Sequence, residues 1–261
     1  MAIASPHIAV TGASAGIGMA LARHFAGPGV KLTIVARRLA ELDTLAAELR
    51  GKGAEVFVQT ADMADPEQMT AWVVAAEAAL GPIDTCIINA GIQIVSEALA
   101  VSNADAERLL AINIIAPQRI ARLVGPAMKA RGDGTLVVVA SLAAMSMVPG
   151  MADYSASKAA VSAWFETLRM ELKSSGVHVL TVYPGPVRTA MEAAAWEKLD
   201  ATGCQKRLPV GTPEELARLV ETAIQKKKAR VIYPAVYSVS HHLRSVSQWV
   251  TERFAPKPTK D

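Results

Sequence analysis

An α/β fold, built on a doubly wound parallel sheet covered by helices, is predicted by three observations. Short apolar runs rich in β-branched residues recur along the chain, longer segments with helical periodicity alternate with them, and the strongest runs have no polar side. Alternating βα units imply a parallel sheet, and a strand such as Leu136-Val137-Val138-Val139 is expected where helices cover both sheet faces. A (β/α)₈ barrel ranks behind, because it needs eight such units and has no use for a glycine-rich first turn.

The elements follow in order. Strands are expected at His7–Thr11, Lys31–Ala36, Glu55–Gln59, Thr85–Asn89, Thr135–Ala140, Val177–Val182 and Arg230–Tyr233, about seven in all. Leu39, Leu42, Leu45, Ala46 and Leu49 share one helix face; Met69, Trp72, Val73, Ala76 and Leu80 share another. Tyr154 to Ser174 reads as one long helix. Val236, Val239, Leu243, Val246 and Val250 repeat at three and four residues, with Trp249 and Phe254 beside them, and predict a C-terminal amphipathic helix over 235–254. No repeat or linker interrupts the pattern, so 1–261 reads as a single domain with a substrate-loop region at 190–210 and a frayed tail from Pro256 to Asp261.

Composition excludes several classes of protein. With 261 residues, 51% apolar and 20% charged, the chain can bury a large core and is not disordered. Its two cysteines, Cys86 and Cys204, stand far apart and support neither a disulfide framework nor a thiolate metal site, so a reducing, cytoplasmic setting is expected and no metal. No secretory leader is expected, because His7 to Thr11 is too short for an apolar core and no basic segment precedes it. The uncharged stretch from Gly134 to Ala152 contains Ser141, Ser146, Pro149 and Gly150, and reads as a buried strand followed by a loop. Net charge is +3, with the basic excess towards the C-terminus. Lys226, Lys227, Lys228 and Arg230 lack interleaved aromatics and sit where a helix should end, which argues for a solvated helix terminus rather than a nucleic-acid surface.

The first strand runs directly into Thr11-Gly12-Ala13-Ser14-Ala15-Gly16-Ile17-Gly18, after which a helical pattern opens. Glycines there let backbone amides approach a phosphate at a helix N-terminus, which makes the sheet Rossmann-type. At the end of the second strand, Ala36-Arg37-Arg38 stands where an acidic residue would bind a ribose hydroxyl. A guanidinium suits a 2′-phosphate instead and favours NADP(H) over NAD(H).

Tyr154 and Lys158 are four residues apart on one helix face, and Ser141 ends the strongest strand at the sheet edge where open α/β folds bind ligands. An ammonium beside a phenol favours the phenolate, lowering the Tyr154 pKa from about 10 towards neutrality and fitting the pair for acid/base work. Together these residues resemble the short-chain dehydrogenase/reductase family, in its single-domain branch, from about residue 7 to residue 190. Gly12, Gly16 and Gly18 match its TGxxxGIG turn, Asn89-Ala90-Gly91 its NAG motif, and Pro184-Gly185 with Thr189 its nicotinamide-contacting PGxxxT segment. The resemblance implies that Asp62 meets adenine, that Asn113 holds a water linking the lysine to solvent, and that Ser141, Tyr154 and Lys158 complete the catalytic set. Ser14, Ile17, Met63 and Val187 complete the expected cofactor surround, while Asn89, Asn113 and Thr189 are also credible as structural caps.

Many NADP-preferring relatives carry a basic residue at the position of Ala15; this chain does not, so the NADP expectation rests on Arg37, helped by Arg38 and Ser14. The substrate wall is expected from Gln93, Ile94, Ala143, Met145, Met147, Val148 and Met151, then Met191 to Leu208, and is largely apolar, with a place in the core equally open to Met145 and Met147. The expected activity is hydride transfer between NADP(H) and a secondary alcohol or ketone. An NAD(H)-preferring alcohol dehydrogenase, or a dinucleotide-binding sensor without turnover, are the alternatives. The C-terminal helix needs cover from its own domain, a second subunit or a membrane. The membrane ranks last, because the polar face, with His241, His242, Arg244 and Arg253, lacks a dense basic run. A homodimer or homotetramer is expected.

Overall fold

A computed structural model describes residues 5–200, 209–238 and 243–258. Seven parallel strands form one sheet: β1 (His7–Thr11), β2 (Lys31–Ala36), β3 (Glu55–Thr60), β4 (Thr85–Ile88), β5 (Gly134–Val139), β6 (Val177–Pro184) and β8 (Arg230–Tyr233). Their order, β3-β2-β1-β4-β5-β6-β8, reverses direction between β1 and β4, and the crevice beyond the strand ends opens there.

Alternate residues of each strand feed two cores. On one face, α1 (Gly16–Phe25), α2 (Leu39–Gly51) and α8 (Pro213–Gln225) bring Leu21, Leu42, Leu45 and Val220 against Val10, Ile34, Ile87 and Val137. On the other, α3 (Gln68–Leu80), α5 (Ala116–Arg131) and α6 (Ala152–Glu171) bring Trp72, Ile120, Val124 and Phe165 against Ala9, Val35, Cys86 and Val138. Burial on both faces is why these strands read apolar throughout. Lys226 caps the end of α8, as its position implied, while Arg230 opens β8 and holds Glu166 of α6 through two hydrogen bonds of 2.5 and 2.6 Å.

Several boundaries move. Asn89 lies past the end of β4 and Ala140 past that of β5, because both peptides turn out of the ladder at the crevice. The long helix spans Ala152–Glu171 rather than Tyr154 to Ser174. α4 (Asn103–Leu110) is joined to α5 by a π turn at Ala111–Ile115. Past β6 come α7 (Ala190–Glu197) and the two-residue β7 (Leu199–Asp200).

The C-terminal helix is shorter than its periodicity implied. Ala235–Tyr237 is a single 3₁₀ turn that directs the Tyr237 ring back onto Gly185, and helix α9 is described only from Arg244 to Phe254. Val239, His241 and His242, like Cys204 and 201–208 of the substrate-loop region, lie outside the described residues. One side of α9 sits on its own domain, where Gln248 accepts from the Met147 amide and Thr251 meets Ser146 at 2.6 Å. The tail is not frayed throughout: Lys257–Pro258 forms β9, antiparallel to β7. Its ladder hydrogen bonds and the packing of Pro258 on Gly150 hold it.

Gly18 sets how closely α1 approaches the sheet. A Cβ there would collide with the Gly12 carbonyl oxygen and stand 2.5 Å from Asn89 Nδ2. Gly125, inside α5, has open space where its Cβ would be. Gly18→Ala is therefore expected to lower the unfolding free energy by about 1–3 kcal/mol through overpacking. Gly125→Ala should raise it by up to about 1 kcal/mol through helix propensity. Chemical denaturation of both variants checks the pair, and equal effects would refute the close-approach argument.

Candidate active site

The turn after β1 leaves helix α1 with uncapped amides. Gly12 has φ +68°, a left-handed conformation that L side chains rarely adopt, and a Cβ on it would stand 2.9 Å from the Ala90 backbone. The residue preceding α1, Ala15, supplies no side-chain cap, and the first turn carries no acidic residue. Uncapped N–H groups at a positive helix end, reached through glycines, fit a phosphate.

The strand ends on either side of the crevice are tied together. Thr11 Oγ1 accepts from the Asn89 and Ala90 amides at 3.0 and 3.1 Å, and Asn89 Nδ2 donates to the Thr11 carbonyl at 2.9 Å. Asn89 thus serves as a strand-end cap while also facing the cavity.

That cavity, about 1120 Å³, runs along the C-terminal strand edge. It brings together Gly12, Ser14, Gly16, Ile17, Arg37, Arg38, Asp62, Met63, Asn89, Ala90 and Gly91 with Ser141, Tyr154, Lys158, Pro184, Gly185, Val187 and Thr189. Two of the residues singled out in the sequence lie behind it. Gly18 sits beneath the turn, and Asn113, only 1% exposed, lies on the π turn. Asn113 Nδ2 donates to the Ile92 carbonyl and to Ser157 Oγ, and its Oδ1 accepts from the Ile92 amide. A Cβ on Gly91 would stand 3.2 Å from both Asn113 Oδ1 and Lys158 Nζ, so all three crowd one point.

At the far end of β2 the two arginines differ. Arg38 is committed, donating to Ser14 at 3.2 Å and pairing with Glu41 at 3.0 Å. Arg37 lines the cavity with no hydrogen bond or ion pair among the described residues. Asp62 holds the Ala64 amide and Arg108, which keep its carboxyl below the ordinary range despite partial burial.

The expected catalytic pair lies on α6. Tyr154 and Lys158 lie one turn apart, with Lys158 Nζ 5.8 Å from the phenol ring centroid. Lys158 is 5% exposed and donates to the Val139 carbonyl at 3.0 Å; burial pushes its pKa down to about 8. Tyr154 moves in the opposite sense to expectation. Burial pushes the phenol up to about 12, with the Ser141 hydroxyl pulling it down and the Glu192 carboxylate raising it further. Lys158 is not among the groups that shift it, its ammonium being directed to the Val139 carbonyl. Ser141 Oγ itself accepts from the Ala143 amide at 3.1 Å, fixing its orientation.

The substrate end differs from the sequence reading. Gln93, Ala143, Val148, Met151, Met191 and Trp196 line it, but Ile94, Met145 and Met147 do not. Met145 belongs to the core and Met147 faces outward, since the 3₁₀ turn Leu142–Ala144 rotates them away. Tyr237, Thr251, Ala255 and Pro256 complete the wall. They come from the C-terminal segment, and no local motif marks them. Thr189 lines the cavity and also caps α7, accepting from the Glu192 amide at 3.2 Å.

Comparison with known proteins agrees with this geometry. The short chain dehydrogenase family model matches residues 6–200. A fatty acyl-CoA reductase of Mycobacterium tuberculosis is 35% identical over 93% of this chain and 81% of its own. The ketoacyl reductase HetN of a Nostoc species is 31% identical over 92% and 84%. Among solved structures, a short-chain dehydrogenase from Sphingobium yanoikuyae in complex with NADPH superposes with a TM-score of 0.81 at 29% identity, covering 98% of this chain and 99% of that one. A glycine turn at a helix end, a tyrosine and lysine one turn apart and a serine at the strand edge, carried on a sequence matched over most of its length, identify the chain as a member of the short-chain dehydrogenase/reductase family of oxidoreductases.

Proposed function

We propose that the protein is an NADP(H)-dependent oxidoreductase that moves hydride between nicotinamide and a secondary alcohol or ketone with a largely apolar body. The observation that carries this reading is the meeting of Ser141, Tyr154 and Lys158 on one cavity whose other end holds the glycine turn and the uncommitted Arg37. The NADPH bound by the Sphingobium yanoikuyae relative supports the cofactor. When bound, the dinucleotide supplies or takes the hydride. Two cysteines, with Cys86 a buried free thiol, fit a cytoplasmic setting. No helix among the described residues is long and apolar enough to cross a membrane.

In this reading Tyr154 gives its phenolic proton to the carbonyl oxygen as carbon is reduced, and takes it back in the reverse direction. A phenol held up to about 12 is fully protonated at neutral pH and stands ready as the donor. Ser141 holds the same oxygen, and its bond from the Ala143 amide keeps its own proton free to donate. Lys158, one turn from Tyr154 and held by the Val139 carbonyl, would bind the nicotinamide ribose, and Asn113 positions the Ile92 backbone and the lysine's surroundings.

Tyr154→Phe should lower kcat by more than about a hundredfold with dinucleotide affinity nearly unchanged, as loss of a general acid implies. Retention of a tenth of the rate would refute the proton-transfer role. Arg37→Asp should raise the KM for NADPH at least about tenfold and that for NADH little, because a carboxylate repels a 2′-phosphate and accepts from a ribose hydroxyl. Wild-type preference for NADH in matched assays would overturn the NADP assignment in favour of the NAD(H) alternative.

We also propose a homodimer or homotetramer, supported by Leu243 and Trp249, which remain 54% and 61% exposed beside the Gln248 and Thr251 contacts that seat α9 on its own domain. Light scattering on the eluting peak should give an oligomer, and Leu243→Asp with Trp249→Asp should dissociate it. A stable wild-type monomer refutes this.

A further inference from the structure

Among the described residues, the substrate end of the cavity contains one acidic side chain. Glu192 projects into it from the first turn of α7, among Met151, Ala195, Trp196, Leu199 and Tyr237. The spacing Thr189-x-x-Glu192 is that of a capping box, in which the glutamate would fold back onto the Thr189 amide. Only half of the box forms. Thr189 accepts from the Glu192 amide at 3.2 Å, but the Glu192 carboxylate instead accepts from Trp196 Nε1 at 2.8 Å. It lines the same cavity as Tyr154 and Tyr237, close enough for its charge to act on both phenols.

Among the described residues no cation pairs with Glu192, and burial raises its pKa. A carboxylate offers about four acceptor sites, and the indole meets one. Among the described residues no second donor reaches it, so the remainder is left to water or to ligand, and a ligand that displaces the water without offering a donor loses affinity.

We propose that Glu192 is a specificity-determining residue that selects ketones or alcohols carrying a second hydrogen-bond donor, a hydroxyl or ammonium group, near the reacting carbon. Substrates bearing a carboxylate there are disfavoured by like-charge repulsion. This rests on the oxidoreductase reading above and narrows its substrate class. A wholly apolar substrate would leave the carboxylate unanswered, and a site built to bind a donor rejects the analogue lacking it.

Three ketones separate the possibilities: propiophenone, phenacyl alcohol and phenacyl methyl ether. Turnover of any of the three with NADPH tests the oxidoreductase reading alone. The alcohol and its ether pull similarly on the carbonyl and differ in the donor, so the ratio of their kcat/KM values tests Glu192. The wild-type ratio should be at least about tenfold, the scale of one hydrogen bond to a charged group. It should fall towards one in Glu192→Leu and be partly retained in Glu192→Gln, whose amide oxygen still accepts. The same ratio should appear in binding without turnover, read by tryptophan fluorescence of Tyr154→Phe loaded with NADP⁺, so that failure of the enzymatic reading leaves the inference measurable. A wild-type ratio near one, or a ratio unchanged in folded Glu192→Leu, overturns it. Weakened dinucleotide binding in that variant with an unchanged ratio also overturns it, because Glu192 would then serve the cofactor.

Discussion

The hydrogen-bonded clasp between the ends of β1 and β4 is the constraint on which the site depends. The two strands are neighbours in the sheet, but their following segments leave in opposite directions, as they must where strand order reverses. Left alone, the diverging ends would expose unpaired backbone. Thr11 and Asn89 satisfy those groups with three short bonds and hold the gap at one width. The glycine turn can then approach the Ala90 backbone, and Gly18 lets α1 lie against both. A side chain at any of these contacts would move the amides that face the cavity.

The second wall depends on a different buried polar group. Lys158 is held by the Val139 carbonyl where an ammonium is poorly solvated, and Asn113 stands close by on a helix that has gained a residue in one turn. A π turn of this kind displaces a side chain from the helical register and is often found at functional sites. Here it aims Asn113 at both polar groups of the Ile92 backbone, securing the loop after β4 that forms the floor beside Lys158. The tyrosine and lysine therefore have a fixed spacing from α6 and a fixed depth from β5.

The substrate end is assembled differently, from segments that pack across one another. α7 hangs from its Thr189 cap, β9 clips β7, and α9 rests on the loop after β5 through Gln248 and Thr251. Each contact is modest and few are deeply buried, the usual composition of an adaptable region. Glu192 is the exception in this apolar surround.

The residues that meet along the cavity were legible because they are local: a glycine turn, a tyrosine and lysine four apart, a serine closing a strand. Two-faced burial likewise makes the strands read apolar, so the α/β class and strand sequence followed from periodicity. What the chain could not reveal depends on distance and desolvation. Adjacency in sequence suggested that Lys158 would lower the Tyr154 pKa, whereas burial of the phenol raises it and the ammonium donates to the Val139 carbonyl. Proximity left Met145 and Met147 open to pocket or core, and a single 3₁₀ turn sends one into the core and the other outward. Tyr237, Thr251, Ala255 and Pro256 reach the cavity only because the C-terminus crosses back over it. The sequence by itself determined which groups can do the chemistry, since that depends on residue type and short spacing. Only the tertiary structure decided their protonation and their company, because these depend on which distant segments exclude water from them.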